Sequence, residues 1–222
     1  MPGETIVSNV PIFPLNTVLF PRMPLTLRIF EERYKVMLRD LRASDNRFCV
    51  ALIKEGSEVG ETAEPHTVGC IAEVQQINPL PQGMFQLEVT GIERVRIRDL
   101  DRVSKPYLVG SLEFWPDGTP LADKELMKKA SRLFEEYATC LLTLSGQGLE
   151  SVAAPSDPQM LSYLLGTILE MEPPERQQLL QAPCAADRLR AEVAILRTKL
   201  PILQAIARSP KPPDIGGKFS AN

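Results

Sequence analysis

The sequence predicts an α+β protein in which a run of short strands precedes a run of helices. Two patterns carry that expectation. Over the first half, apolar and polar residues alternate, as in Leu25-Thr26-Leu27-Arg28-Ile29 and again where Val95 and Ile97 alternate with Arg94, Arg96 and Arg98. That period belongs to strands with one buried face. Over the second half, Leu126, Ala130, Leu133, Tyr137, Leu141 and Leu144 step at three and four residues, which draws one apolar stripe along a helix. The change of character falls at Trp115-Pro116-Asp117-Gly118-Thr119-Pro120. Strands followed by helices argue for an α+β fold or for two abutting subdomains. The expected division is a β-rich part over 8–116, a helical part over 117–208 and a Pro- and Gly-rich disordered tail over 209–222.

The elements follow in order. Val10-Pro11-Ile12-Phe13-Pro14-Leu15 is apolar but interrupted by prolines. A proline cannot donate to a central ladder, so an edge or bulged strand is expected there. Phe20-Pro21-Arg22-Met23-Pro24 reads as a tight connection into the strand Leu25–Ile29. From Glu31 to Ala43 the period becomes helical, with Tyr34, Met37, Leu38 and Leu41 on one face. Strands are expected over Phe48–Lys54, Thr67–Ile77, Met84–Thr90, the arginine-rich stretch and Tyr107–Phe114. Asn78 to Gly83 is expected as a turn, and Gly91 as a bulge or bend. In the helical half, Gly146 suits a stop, Asp157 a cap and Pro158 a first helical position. Pro173-Pro174 precedes a short helix, and Pro201 is expected to kink or split the last one.

The composition is 44% hydrophobic and 24% charged, with net charge −3. That is enough apolar material for a real core. A mildly acidic chain offers nothing to nucleic acid or to an anionic membrane. Cys49, Cys70, Cys140 and Cys184 are scattered, with no paired spacing for a zinc site. They read as small buried hydrophobes of a reducing compartment. No secretory leader and no apolar run of membrane-spanning length is visible, so a cytoplasmic location is expected.

Catalytic chemistry is not legible. The single histidine, His66, stands in the loop-like Ala63-Glu64-Pro65-His66-Thr67. No G-x-S-x-G elbow is present. Gly216-Gly217-Lys218-Phe219 lacks the upstream glycine and the following hydroxyl residue of a phosphate-binding loop. No catalytic residue, metal or cofactor is therefore expected. Arg94, Arg96 and Arg98 could line one strand face and hold a phosphate or an acidic peptide. The intervening Glu93, Asp99 and Asp101 favour a plain solvated face instead.

A family resemblance enters through a series of motifs. Pro11-Ile12-Phe13-Pro14-Leu15, continuing to Phe20-Pro21, resembles the opening of the Lon protease N-terminal domain. Leu25 to Ile29 followed by Phe30-Glu31-Glu32-Arg33-Tyr34 is similar to that family's next hallmark. Val68-Gly69-Cys70-Ile71-Ala72-Glu73-Val74 and Val89-Thr90-Gly91-Ile92-Glu93-Arg94-Val95-Arg96-Ile97 are similar to two of its strands. Glu175-Arg176-Gln177-Gln178-Leu179-Leu180 and Arg188-Leu189 match its helical end. The resemblance runs from about residue 8 to residue 205, and the chain stops before the ATPase and Ser-Lys protease modules of full-length Lon.

The resemblance implies a PUA-like β-barrel packed on a helical bundle. It implies a non-enzymatic module that binds unfolded or partner polypeptides, as an adaptor or quality-control factor, and that works beside a separate protease or ATPase. Met and aromatic residues suit adaptable contact surfaces. Phe13, Phe20, Met23, Phe30, Met84 and Phe85 are the polypeptide-binding candidates, with core filling as the alternative for each. An apolar groove near the barrel–bundle junction is expected. RNA binding, which PUA-like barrels also perform, is the alternative function, and it would use Arg94, Arg96 and Arg98. A small hydrolase is disfavoured by the lone histidine.

Overall fold

Strands, several of them carrying proline, build the first half of the molecule. The computed structural model describes residues 6–60, 63–119, 122–146 and 152–208. The strands are β1 (Ile6–Leu15), β2 (Pro24–Ile29), β3 (Arg47–Glu55), β4 (Glu64–Pro65), β5 (Val68–Leu80), β6 (Met84–Asp101) and β7 (Leu108–Phe114). Helix α1 (Glu32–Arg42) separates β2 from β3. The second half holds α2 (Lys124–Leu144), α3 (Pro158–Ile168), α4 (Pro173–Leu180) and α5 (Ala185–Arg208). The expected tail over 209–222 lies outside the described residues.

The strands form one seven-stranded sheet in the order β1-β7-β6-β5-β3-β4, with β2 attached to β6 off that path. β1 also pairs in parallel with β3, so the path of pairings that leaves β1 through β7 returns to it through β3. β1 is thus not an edge strand over its whole length, which corrects half of the expectation. It is bulged, between Val7 and Val10, with Asn9 at φ 61°. Its prolines survive because each meets one neighbour in register. Pro11 pairs with Val109 of β7, and Pro14 pairs with Ala51 of β3. Only Ile12 is paired on both sides, with Cys49 and Leu108, and it has the N–H that such a position requires.

Alternation sorts the side chains into two cores. One comprises Ile12, Cys49, Ala51, Ile71, Val95, Ile97, Leu108 and Leu112, drawn from all five strands of the returning path. The opposite faces send Phe13, Phe48, Val50, Cys70, Ala72 and Val109 to a second core. Helix α1 covers that second core with Tyr34, Met37, Leu38 and Leu41. The ring of Phe13 lies 4.2 Å from that of Tyr34.

The expected turn over Asn78–Gly83 is shorter than the prolines suggested. β5 pairs with β6 as far as Leu80 against Met84, and only Pro81–Gly83 turn, with Gln82 at φ 61° and Gly83 at φ 68°. Pro79 of β5 is accommodated opposite Phe85 of β6, near the turn. Helices begin and end as their residues dictate. The Asp123 side chain accepts from the Leu126 N–H at 2.8 Å, and Asp157 accepts from Met160 at 2.7 Å. Gly146 follows α2 at φ 74°. α2, α3 and α5 share a buried cluster that includes Phe134, Tyr137, Leu161, Leu165, Leu189 and Leu196. Pro201 does not split α5, which runs unbroken to Arg208. Pro201 is exposed, so water can serve the carbonyl left without a helical donor.

Candidate functional site

The sheet and the helices meet at a pin made by one aromatic ring. Phe20 is fully buried, with Val18, Leu52, Val68, Tyr163, Leu179 and Leu180 around it. Two glycines leave it room. A Cβ on Gly91 of β6 would stand 2.1 Å from the Phe20 carbonyl oxygen, and one on Gly166 of α3 would stand 2.9 Å from its ring. Gly91 also stitches the turn to the sheet. Its N–H donates to the Met23 carbonyl at 2.9 Å, and its carbonyl accepts from the Arg22 N–H at 2.7 Å. The bend expected at Gly91 is present as a register shift against β5.

A buried charge cluster lies beside that ring. Asp117 accepts from Arg94, from Arg188 Nη1 at 2.8 Å and Nη2, and more weakly from the Tyr163 hydroxyl at 3.4 Å. Arg94 also donates to the Leu180 and Ala182 carbonyls at 2.8 and 2.6 Å. Arg188 Nε donates to the buried Ser162 hydroxyl at 3.0 Å. Burial pushes the Arg94 guanidinium below its ordinary pKa. Burial acts on Arg188 too, but the hydrogen bonds and charge of Asp117 outweigh it and raise the value. Gln177 of α4 adds a donor bond to the Val68 carbonyl at 3.0 Å. Buried charges demand such partners, because desolvation costs each of them several kcal/mol; the Arg94 Nε and Gln177 Oε1 are left without one among the described residues.

This arrangement corrects the reading of the basic strand. Arg94, Arg96 and Arg98 do project from one side of β6, but they are not a free solvated face. Arg94 is buried and tied to the helices. Arg96 stacks over Trp115 at 4.0 Å, with Arg94 over the same ring at 4.6 Å. Arg98 pairs with Glu113. The guanidiniums that RNA binding would need are already engaged by the protein.

A cleft of about 630 Å³ opens at the junction, where the groove was expected. It is not the apolar groove of the expectation. Ile92, Trp115 and Met160 line it together with Arg22, Glu93 and Asp157. Trp115 and Asp117 were legible only as parts of a boundary segment. Arg188 was legible only through its place in a family motif.

The six polypeptide-binding candidates separate into three groups. Phe13 and Phe20 are core residues with no surface to offer. Met23 is part-buried before β2, its sulfur 3.8 Å from Arg176 Nη2. Phe30 is 45% exposed, and Met84 and Phe85 are partly exposed. These three gather at the far end of β2, because Ile29 pairs with Phe85 and Met84 begins β6.

No nucleophilic centre emerges among these groups. Burial pushes the Cys49 thiol up to about 12 and raises that of Cys70 as well, so both stay protonated and unreactive. His66 is lowered by burial and by the nearby Lys54 charge. Its backbone N–H donates to the Leu52 carbonyl at 2.8 Å. Among the described residues no cluster of three metal-ligating side chains occurs, and no helix is long and apolar enough to cross a membrane.

The family model of the ATP-dependent protease La (LON) substrate-binding domain matches residues 9–198. The chain belongs to that family. Among curated relatives, the Lon protease of Halothermothrix orenii is 28% identical over 195 residues, covering 85% of this chain and 24% of that one. The Lon protease of Heliobacterium modesticaldum is 27% identical over 203 residues, covering 89% of this chain and 25% of that one. The Lon-family chain described here thus spans about a quarter of the length of these relatives. The crystal structure of a Lon N-terminal domain protein from Xanthomonas campestris shares the fold. Its TM-score is 0.65 at 24% identity, covering 85% of this chain and 98% of that one. The N-terminal domain of a Mycobacterium avium complex Lon protease aligns at TM-score 0.61 and 17% identity, with the same coverage.

Proposed function

We propose that this Lon-family chain binds polypeptides without acting on them chemically, as an adaptor or quality-control factor of the cytoplasm. A separate ATPase or protease would receive what it binds. The observation that carries this reading is the family match over residues 9–198. Phe30, Met84 and Phe85, with Met23 at the other end of β2, supply the adaptable apolar contacts. Arg94, Arg96 and Arg98 serve architecture. In this reading the returning path of strands is a PUA-like barrel over 8–116, and the helices over 117–208 form a bundle packed on it. Polypeptide is favoured over RNA because the chain carries net charge −3 and its strand arginines are occupied.

The test is fluorescence anisotropy with a labelled, reduced and alkylated protein that cannot refold, set against its folded form. Saturable binding of the unfolded form, with casein left uncut, is the expected result. Equal affinity for both forms, or hydrolysis of casein by the pure chain, defeats the proposal.

A further inference from the structure

We infer that β2 receives its polypeptide as an added strand, an inference that rests on the polypeptide-binding reading above. Among the described residues β2 has one strand neighbour, β6, in register from Pro24 against Thr90 to Ile29 against Phe85. A strand turns the N–H and C=O of alternate residues to each side. Half of the main-chain groups of β2 therefore point away from β6, as a template for another chain. Only Pro24, at the first position, lacks an N–H. Leu25 to Ile29 keep theirs, and Leu27 and Ile29 anchor the strand in the core.

The surroundings specify what the added strand carries. Phe30, 45% exposed, follows β2 directly, and the part-buried Phe85 is paired with its last residue. A cleft of about 240 Å³ lies between Phe85 and α1, lined also by Glu32, Lys35, Leu38, Arg39 and Arg42. Glu32 already accepts from Lys35 at 2.8 Å. With Glu32 so engaged, Arg39 and Arg42 make this a basic corner of a net acidic chain. The occupant is an extended segment of about six residues, matching the length of β2, in which apolar residues alternate with acidic ones. A second copy of β2 would bring like charges together, which disfavours self-pairing.

The probe is a labelled ten-residue peptide alternating valine and glutamate. In a strand the valine amides face one edge and the glutamate amides the other, so N-methylating each set in turn removes the donors of one edge only. Edge pairing predicts that one methylated peptide binds about tenfold or more weakly while the other stays near the parent, since several main-chain hydrogen bonds are lost together. It also predicts that, among the amides of residues 25–29, those turned away from β6 exchange about tenfold more slowly with peptide bound. A peptide with lysine for glutamate, or the R39E/R42E variant, should lose affinity by a similar factor.

Equal behaviour of the two methylated peptides, or protection confined to the junction cleft, overturns strand addition while polypeptide binding stands. Absence of parent-peptide binding, with the unfolded protein still bound, overturns it as well. Failure of both ligands removes the polypeptide reading too. Protection within 25–29 that rises with protein concentration alone assigns the edge to a second copy, against the inference.

Discussion

The two ends of β2 solve opposite problems. Near Met23 the chain is locked, with the Phe20 carbonyl against Gly91, its ring against Gly166, and two arginines sharing one carboxylate. Near Phe30 the same strand has an open edge and partly exposed apolar side chains. The locked end ties Arg94, Asp117 and Arg188 together and sets how the helices meet the sheet. The open end leaves main-chain groups and apolar area for something else. A binding module needs both, because an edge is only a template if the sheet behind it does not move.

The locked end should break most dramatically at Asp117. Replacing it by alanine leaves Arg94 and Arg188 buried without their carboxylate, at a cost of about 3–5 kcal/mol. Urea unfolding should show the loss, and the Arg188→Met and Asp117→Leu pair should recover the part due to Arg188, with Arg94 left on the Leu180 and Ala182 carbonyls. A loss under about 1 kcal/mol would mean the cluster is better hydrated than its burial implies.

Gly91→Ala and Gly166→Ala come next. The new Cβ on Gly91 meets backbone, which cannot step aside, whereas that on Gly166 meets a ring that can tilt. Both should cost about 1–3 kcal/mol, with Gly91 at the upper end. Thermal unfolding of the two variants checks the order.

Glu192 offers a pH-dependent test of the helical side. It is fully buried on α5, neither carboxylate oxygen has a hydrogen-bond partner among the described residues, and burial raises its pKa well above the usual 4.5 against the opposing charge of Arg188. A raised carboxyl contributes stability that is complete below its unfolded pKa and is lost as pH rises toward its folded one. Glu192→Gln should therefore match the parent near pH 4 and gain on it above pH 4.5, by up to about 1.4 kcal/mol per pH unit until the raised value is passed. A flat difference across that range in denaturant titrations would show that Glu192 is charged in the fold.

What the sequence disclosed follows the range of the interactions. Local signals held: the α1 face, the Asp157 cap with Pro158, and the stop at Gly146 rest on neighbours within a turn. The pairings that decide the site are distant. Arg94 reads as a surface residue until residues 86 and 88 positions further on supply carbonyls for it. Phe20 reads as a loop-end contact until Gly166 closes over it. The two prolines of β1 read as edge markers, because alternation along one strand does not reveal which neighbours lie beside each residue. Of the six apolar candidates, Phe30 is exposed and Met84 and Phe85 are partly exposed, and they flank a turn or the end of a strand.

The open end should respond in the opposite sense to the locked one, losing function without losing fold. Phe30→Ser removes an exposed ring, so its effect on stability should stay within about 0.5 kcal/mol. If Phe30 seats the bound segment, affinity for an unfolded protein should fall by about tenfold, as a surface aromatic at a contact centre would. Phe13→Leu is the control, since it changes a buried ring of the core under α1 and should cost stability while leaving affinity unchanged. Anisotropy titrations and urea curves on the same two samples separate these outcomes. Parallel losses of both quantities in Phe30→Ser would show that the two ends of β2 are one cooperative unit, and the contrast between a locked end and an open one would fail.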